Sequence, residues 1–342
     1  MYKITTIPGD GIGKEVMKPT LEILETINAN FDFIYQEAGK ECYEKNGTNL
    51  PEETITSCKE SDSTLFGAVT SIPEQKSAIV TLRRELDLYI NQRPIKSYID
   101  NNIDFTIIRE NSEGLYSHLE EDYGEEAIAI RKITYKGSER ICNYAFEYAN
   151  KTGLKKVTAA HKANVLPLTD GVFKKSFYKE AEKYPQIKAN DYYIDAMAMY
   201  LITNPAQFDV IVTTNLFGDI LSDQGGGLLG SLGLIPSANI GKDNGLFEPV
   251  HGSAPDIAGQ NKANPIAMIL SSSLMLEFLG MQKEANTIQK TIENVIKEGK
   301  VKTPDLGGTN NTQEMCDEII RKLWWFHTFF HLNNYRKKIN YK

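Results

Sequence analysis

Short runs of β-branched and aromatic residues recur along the chain and predict strands. These runs lie at 3–7, 31–35, 63–69, 104–109, 155–160 and 208–214. Other segments have apolar residues at the spacing of an amphipathic helix, namely 14–28, 137–150, 170–183, 263–280 and 281–298. We expect Ser138 to cap the second of these helices. The alternation of strands and helices predicts an α/β fold with a largely parallel sheet.

Composition narrows the class of protein. The chain has 342 residues, 41% of them hydrophobic, so we expect a large core and more than one lobe. The formal net charge of −7 argues against a nucleic-acid partner, which needs clustered Lys and Arg. We find no signal peptide and no apolar run of roughly 18 residues, so we expect no membrane association. The widely spaced Cys42, Cys58, Cys142 and Cys316 indicate reduced thiols in a cytoplasmic protein.

A glycine loop, PGDGIGKE, lies between the first predicted strand and the first helix. Its Gly9, Gly11 and Gly13 imitate a dinucleotide-binding fingerprint. However, the spacing is GxGxG, and the carboxylate of Asp10 would repel a pyrophosphate at the helix N-terminus. These residues leave both interpretations open and favour a tight strand-to-helix turn over a Rossmann-type site.

Two carboxylates in GDILSD suggest a metal site. Asp219 and Asp223 are four residues apart, so a helix places them on one face. They repel each other unless a cation lies between them, and Mg²⁺ and Mn²⁺ prefer oxygen ligands. The alternative is a solvated acidic face, but the flanking Ile220 and Leu221 favour the metal site.

Five further side chains suit an anionic substrate or proton transfer. Arg83, Arg93 and Arg109 can each grip a carboxylate through paired hydrogen bonds, and Arg109 ends a strand, where parallel sheets bind ligands. Lys162 follows an apolar strand and can accept a proton, and Tyr116 can take part in proton transfer. The alternatives are surface ion pairs for the arginines, a solvated lysine and a core tyrosine.

Two other segments leave a functional and a structural interpretation open. In HGSAPDIAG (251–259), small residues let a ligand approach the backbone and Asp256 suits a ribose diol; a structural loop is the alternative. The end of the chain, 324–342, is rich in aromatic residues and finishes with basic ones. We expect a packed helix followed by a frayed tail, and the alternative is binding to a membrane surface or a partner.

Taken together, five segments closely resemble the β-decarboxylating dehydrogenases, the family of isocitrate, homoisocitrate and 3-isopropylmalate dehydrogenases. The archaeal isopropylmalate and homoisocitrate enzymes are the most similar. The segments are RENSEGLY (109–116), HKANVLPLTDG (161–171), NLFGDILSD (215–223), FEPVHGSAPDIAG (247–259) and TPDLGG (303–308). The resemblance implies a two-domain α/β fold rather than a conventional Rossmann fold. Residues 1–95 with 230–342 would form a large domain with the cofactor loop, and 96–229 a small domain with the dimer interface.

Carried over position by position, the resemblance implies a role for each matching residue. Arg83, Arg93 and Arg109 would bind the malate carboxylates, and Lys76 or Ser77 could meet a distal carboxylate. Asp219 and Asp223 would hold Mg²⁺ or Mn²⁺ with Asp195 of a second copy. Lys162 of a second copy would be the general base and Tyr116 the general acid. NAD would be bound by Asn164, His251, Gly252, Ser253, Ala254, Asp256 and Asn264.

The resemblance therefore implies NAD- and metal-dependent oxidation and decarboxylation of a 3-substituted malate by a homodimer or tetramer with shared active sites. The stretch 67–84 most resembles homoisocitrate-type enzymes, so homoisocitrate is the favoured substrate. 3-Isopropylmalate is the close alternative, because Ile79 and Val80 are apolar, and isocitrate comes third. A non-catalytic regulatory subunit is a remote alternative, since Lys162, Tyr116 and the three aspartates are all present.

Overall fold

A computed structural model describes residues 1–27, 30–73, 75–99 and 102–324. Its strands are β1 (Tyr2–Gly9), β2 (Phe31–Tyr35), β3 (Ser63–Ala68), β4 (Ile90–Lys96), β5 (Asp104–Glu110), β6 (Glu120–Asp122), β7 (Ala127–Ala129), β8 (Lys156–His161), β9 (Lys188–Tyr193), β10 (Val210–Thr213), β11 (Pro236–Ile240) and β12 (Gly245–Pro249). Its helices are α1 (Ile12–Thr26), α2 (Lys40–Asn46), α3 (Glu52–Glu60), α4 (Ala78–Glu85), α5 (Tyr135–Thr152), α6 (Thr169–Ala181), α7 (Ile194–Thr203), α8 (Asn215–Leu229), α9 (Ile266–Phe278) and α10 (Gln282–Glu298), followed by a helix over 312–324. Every strand and helix that the hydrophobic pattern predicted is present, with bounds shifted by a few residues.

One ten-stranded sheet runs through the described part of the chain in the order β2-β1-β3-β12-β11-β4-β5-β10-β8-β9. Its two flanks are parallel, which confirms the predicted α/β class. In the middle, β11 is antiparallel to β12 and β4, and β4 is antiparallel to β5. The two flanks therefore run in opposite directions and meet at β11 and β4.

The core draws on both ends of the chain. Ile4 of β1 and Val16 of α1 pack in one cluster with Met268 of α9 and Ile292 of α10. A second cluster joins β5, β8 and β10 to α5 and α6. Burying each such aliphatic side chain stabilises the fold by roughly 1.5–3 kcal/mol. This grouping fits the expected division into two domains, whose boundaries stay a prediction.

The glycine loop forms a tight turn filled by protein groups. Gly11 has a φ of +55°, and a Cβ there would lie 2.2 Å from the carbonyl oxygen of Ser253. That oxygen accepts a hydrogen bond from the backbone N–H of Ile12 at 2.9 Å. The buried carboxylate of Asp10 accepts from the backbone N–H of Lys40 at 2.7 Å. The loop therefore packs against the segment that carries Ser253 and is hydrogen-bonded to it.

The start of α5 differs from the prediction. Thr134, not Ser138, is the N-cap, and its Oγ1 accepts a hydrogen bond from the backbone N–H of Gly137 at 3.0 Å. Ser138 is buried within the helix, so the predicted cap was wrong. The reason is that threonine also caps helices well, and the first turn begins one residue after it, before the apolar pattern is evident.

The strand β4 gave no hydrophobic signal. Asn91, Gln92 and Arg93 are polar yet buried, and Pro94 lacks the N–H that a central strand needs. The pairing of β4 with β11 covers only Ile90 to Gln92, so Pro94 lies beyond that ladder. These polar side chains are buried because the strand contributes to the candidate active site described below.

No helix in the described ranges is long and apolar enough to cross a bilayer. The aromatic segment predicted at 324–342 lies outside the described residues except for Trp324. Its packing and its alternative role as a membrane or partner-binding segment stay predictions.

We expect Gly11→Ala to destabilise the fold more than Gly47→Ala. Both glycines have positive φ, but a Cβ at Gly47 would meet nothing within 4 Å. Gly47→Ala should cost about 1–2 kcal/mol for its left-handed backbone, and Gly11→Ala about 1–3 kcal/mol more for overpacking. Urea unfolding of both variants measures the difference. Equal free energies of unfolding would show that the loop yields to the added methyl group.

Candidate active site

The site lies where β5 meets the first turns of α8. Arg109, near the end of β5, has a side chain that is only 1% exposed. Its Nε and Nη2 donate to Asn215 Oδ1 at 3.0 and 2.7 Å, and its Nη1 donates to Asp219. Strand β10 pairs Thr213 with Arg109, so the chain enters α8 beside the guanidinium. A Cβ on Gly218 would lie 2.6 Å from Arg109 Cγ, so glycine allows this close approach.

Arg93 reaches the same helix from β4. Its Nη1 donates to Ser222 Oγ at 2.5 Å and to Asp219 Oδ1 at 3.2 Å. Its Nε donates to Asn91 Oδ1 at 2.6 Å, and Nη1 lies 4.0 Å from Asp223 Oδ1. Burial lowers the pKa of Arg93, against the attraction of Asp219. An arginine nevertheless keeps its charge at neutral pH.

Arg83 is the third buried guanidinium. It lies on α4, and its Nη2 donates to Glu248 Oε1 at 2.9 Å. Its Nε is buried and has no hydrogen-bond partner within the described ranges. Such a donor is costly to bury unless an anion takes it. Ser77 is the N-cap of α4, where its Oγ accepts from the N–H of Val80 at 3.5 Å.

Tyr116 lies in a short 3₁₀ turn, Leu115–Ser117, just after β5. Its hydroxyl donates to Asp219 Oδ2, and the Arg109 guanidinium lies 5.1 Å from the centre of its ring. Burial raises the pKa of Tyr116, and the hydrogen bond to Asp219 raises it further. The phenol therefore stays protonated at neutral pH and is available as a proton donor.

Asp219 accepts hydrogen bonds from Arg93, Arg109 and Tyr116. Burial pushes the pKa of Asp219 upward, but the two arginines outweigh it and hold the pKa below its usual value. Asp223, one turn later on α8, behaves differently. Burial and the charge of Asp219 raise the pKa of Asp223, although Arg93 opposes them.

The α8 carboxylates are the candidate metal ligands of this group. In the part of the chain that the structure describes, no group of three or more His, Cys, Asp or Glu residues could hold a metal ion. Asp219 and Asp223 are oxygen donors on one helix face, and the side chain of Asp223 is 63% exposed. This donor set fits two ligands of Mg²⁺ or Mn²⁺, and the remaining oxygen ligands would come from water, from a substrate or from another chain.

Lys162 and Asp195 form a separate ion pair. Among the described residues, neither side chain bonds to Asp219 or Asp223. The backbone N–H of Lys162 donates to the fully buried carboxylate of Asp170 at 2.6 Å, which fixes the turn that carries the lysine. The structure therefore groups the three arginines, Tyr116 and the α8 acids, and leaves the Lys162 pair outside that group.

The loop 251–259 has features of a ligand site. Ser253 is buried, and its Oγ lies 2.8 Å from Thr70 Oγ1. His251 Nδ1 lies 3.0 Å from the carbonyl oxygen of Gly252, whereas its Nε2 is buried without a partner in the described ranges. Burial lowers the pKa of His251, so the ring is neutral at pH 7. The free Nε2 can bond to a ligand.

The remaining residues predicted for the cofactor surround this loop or lie apart from it. Ala254 has a φ of +39°, which the loop imposes on it, and Asp256 is exposed. Asn264 is buried, and its Nδ2 donates to Asp305 Oδ2 of the TPDLGG segment at 3.0 Å. Asn164 is exposed in the turn after Lys162.

Residues that hold the predicted site residues but were not singled out from the sequence include Asn91, Asp170, Asn215, Ser222, Glu248 and Asp305. All except Asn91 lie inside the segments that carry the family resemblance. Their position in those segments is the feature of the sequence that could have identified them. Asn91 lies in β4, which has no such signal.

The chain matches one family of proteins across almost its whole length. A family model described as isocitrate/isopropylmalate dehydrogenase matches residues 3–319. The chain is 55% identical to a 3-isopropylmalate dehydrogenase of Methanothermobacter thermautotrophicus, over 94% of this chain and 98% of that protein. It is 49% identical to a homoisocitrate dehydrogenase of Methanocaldococcus jannaschii, over 94% and 97%.

A crystal structure of isocitrate dehydrogenase from Methylococcus capsulatus is similar in fold. It is 42% identical, with a TM-score of 0.91 over 94% of this chain and 99% of that one. The fold and the sequence thus agree, and the predicted two-domain dehydrogenase fold class is confirmed. The chain belongs to the isocitrate/isopropylmalate dehydrogenase family and is a dehydrogenase that catalyses an oxidative decarboxylation.

Proposed function

We propose that this chain oxidises and decarboxylates a 3-substituted malate with NAD and Mg²⁺ or Mn²⁺, and that 3-isopropylmalate is its main substrate. The observation that carries the proposal is the convergence of buried Arg93 and Arg109 on Asp219, beside the hydroxyl of Tyr116. We place the enzyme in the cytoplasm, where its free cysteines stay reduced.

The arginines bind the carboxylates of the substrate. Arg93 and Arg109 now donate to Asp219, and a substrate carboxylate can take those hydrogen bonds in its place. Arg83 contributes its unpaired Nε. Paired hydrogen bonds from guanidinium groups fix the orientation of a carboxylate as well as its position. Three such groups therefore hold a malate in a single orientation.

Proton transfer uses residues on either side of this substrate. Lys162 of a second copy takes the proton of the C2 hydroxyl. After the carboxylate at C3 leaves as CO₂, Tyr116 delivers a proton to C3. The raised pKa of Tyr116 keeps that proton in place until this step.

Two separate sets of residues would hold the cation and the cofactor. Asp219 and Asp223, with Asp195 of a second copy, would hold the cation, and the 251–259 loop would hold NAD with Asn164 and Asn264. When bound, NAD supplies the hydride acceptor and the cation supplies a Lewis acid for the substrate's C2 oxygen. The unpaired Nε2 of His251 is a hydrogen-bonding group of this loop that a nucleotide can satisfy.

Helix α4 supplies the side chains that bear on substrate choice. Ile79 packs against the core, whereas Val80 is half-buried and belongs to no core cluster of the described residues. An apolar side chain favours an alkyl group at C3 of malate over a carboxylate, which loses hydration there. This favours 3-isopropylmalate over homoisocitrate, in contrast to the order that the sequence segment 67–84 favoured.

Homoisocitrate is the second candidate. Ser77 and the exposed Lys76 lie at the start of α4, where a distal carboxylate could meet them. A relative that is 49% identical is named homoisocitrate dehydrogenase. An apolar pocket discriminates by only about 1–3 kcal/mol per methylene, so some activity with both substrates is expected.

With NAD and Mg²⁺, we expect a kcat/KM for 3-isopropylmalate about 10- to 100-fold above that for homoisocitrate, because an apolar contact discriminates by that much. EDTA should abolish the activity and Mn²⁺ should restore it. NADH absorbance and CO₂ release measure both. A higher kcat/KM for homoisocitrate would reverse the order of substrates, and no turnover of either substrate or isocitrate would contradict the proposed function.

A second copy of the chain is the proposed partner, as a dimer or within a tetramer. Asp195, Met199 and Ile202 lie on one face of α7, and the last two are 50% and 64% exposed. Ile220 on the neighbouring α8 is 53% exposed, and Leu168 is 83% exposed. A patch of exposed apolar residues, such as the one on α7 and α8, is typical of a protein–protein interface. We expect a second copy on this face to bring its Asp195 and Lys162 toward the arginines and α8 acids of the first.

Co-expression of Lys162→Met with Asp219→Asn should restore activity that each variant lacks alone. A hybrid dimer has one site with both substitutions and one site with neither, so random pairing gives about a quarter of wild-type activity. Two affinity tags isolate the hybrid, and the separately purified parents are the controls. A hybrid as inactive as its parents would contradict the shared site.

Asp256→Lys with Ile257→Tyr should raise the NADP-to-NAD ratio of kcat/KM at least about tenfold, because a repulsion of the 2′-phosphate is replaced by a charge-assisted hydrogen bond. Steady-state rates with both cofactors measure the ratio. Asp243→Lys, in an exposed turn, controls for net charge. A wild-type preference for NADP would contradict the role given to Asp256.

A further inference from the structure

Asn239 lies at the centre of a buried polar network between the two flanks of the sheet. It is on β11, and its side chain is fully buried. Its Oδ1 accepts hydrogen bonds from the Nδ2 atoms of Asn91 and Asn111, both at 2.9 Å. Its Nδ2 donates to Glu248 Oε1 at 2.7 Å and to the carbonyl oxygen of Leu246 at 3.3 Å. Both acceptor positions and both donor hydrogens of this amide are therefore in use.

Two branches of this network end on guanidinium groups. Through Glu248, whose Oε1 also accepts from Arg83 Nη2 at 2.9 Å, the network reaches α4. Through Asn91, whose Oδ1 accepts from Arg93 Nε at 2.6 Å, it reaches Arg93 on β4. Among the described residues, Asn239 is therefore the one side chain that bonds both to Glu248, the partner of Arg83, and to Asn91, the partner of Arg93.

A third branch leads to the end of β5. Asn111 lies two residues after Arg109, and its Nδ2 also donates to the carbonyl oxygen of Leu88 at 3.1 Å. The register of β4 against β5 pairs Asn91 with Arg109. Asn239 therefore bonds to side chains adjacent to each of the three arginines.

We propose that Asn239 is a positioning residue that sets the relative placement of Arg83, Arg93 and Arg109 and thereby the affinity for the hydroxy acid. This inference rests on the proposed role of these arginines in substrate binding. Only an amide supplies two donors and two acceptors at this place. An aspartate would set a second acid against Glu248, and an apolar residue would leave the network unpaired.

The placement of the arginines affects substrate binding more than cofactor binding. A shift of about 1 Å in groups that orient a substrate can cost on the order of a hundredfold in rate. NAD is proposed to bind at 251–259, and none of the hydrogen bonds of Asn239 reaches that loop. Replacement of Asn239 should therefore raise the KM for the hydroxy acid and leave the KM for NAD nearly unchanged.

Steady-state kinetics of Asn239→Ala and Asn239→Asp test the proposal in the full-length enzyme. We expect the KM for the hydroxy acid to rise about 10- to 100-fold in Asn239→Ala, with the KM for NAD changed less than about twofold. For Asn239→Asp, the ratio of its KM for the hydroxy acid to that of the wild type should fall as the pH is lowered from 9 to 6. The reason is that protonation of the new carboxylate restores a hydrogen-bond donor to Glu248.

The control is Thr158→Val, which removes a hydrogen bond elsewhere in the sheet, from the buried Thr158 Oγ1 to Asn190 Oδ1 at 2.9 Å. It should lower the melting temperature without changing either KM. An Asn239→Ala enzyme with wild-type KM values, or with both KM values raised equally, would overturn the positioning role. If wild type turns over no substituted malate, the proposed function itself fails, and the two failures are thereby distinguished.

Discussion

The site depends on keeping guanidinium groups charged inside the protein. Arg93 and Arg109 are 5% and 1% exposed, and an unpaired charge at such depth costs several kcal/mol. Asp219 offsets the charge, while Asn215, Ser222 and Asn91 accept the remaining hydrogen bonds. The helix α8 must therefore lie close to β5, and this closeness requires glycine at position 218. The position of the acids proposed to bind metal follows from the need to pair the arginines.

The sheet topology explains why these arginines meet. If all strands were parallel, the beginning of β4 and the end of β5 would lie at opposite edges of the sheet. The antiparallel strands β11 and β4 instead join two flanks of opposite direction, so the beginning of β4 lies beside the end of β5. Side chains from α4, β4, β5, β11 and β12 therefore converge at the middle of the sheet. This junction also lets the buried asparagines bridge the flanks.

The sequence predicts the apolar part of the fold well and the polar part only by resemblance. Strands such as β3 and β10 are buried on both faces and contain mostly apolar residues, whereas β4 buries Asn91 and Arg93 and resembles a loop in sequence. Arg109, Asp219 and Tyr116 were predicted and lie together. Asn239 was not predicted, because the sequence alone does not distinguish a buried asparagine from an exposed one. The predicted approach of Lys162 to the α8 acids requires a second copy of the chain, so a single chain does not show it.

Charge balance links the substrate to the cation. Arg83, Arg93 and Arg109 face Asp219, Asp223 and Glu248, so these six groups carry no net formal charge. A malate with two carboxylates adds two negative charges and a divalent cation adds two positive ones, so the pair preserves the balance that either alone would upset in a poorly solvated site. In the proposed complex, a substrate carboxylate would take the guanidinium hydrogen bonds and leave Asp219 available to the cation, so each ligand would assist the binding of the other. A tricarboxylate adds a third negative charge, which only another cation such as Lys76 on the approach to α4 could balance. Under the proposed function, the electrostatics that pairs the buried arginines would therefore favour a dicarboxylate over a tricarboxylate.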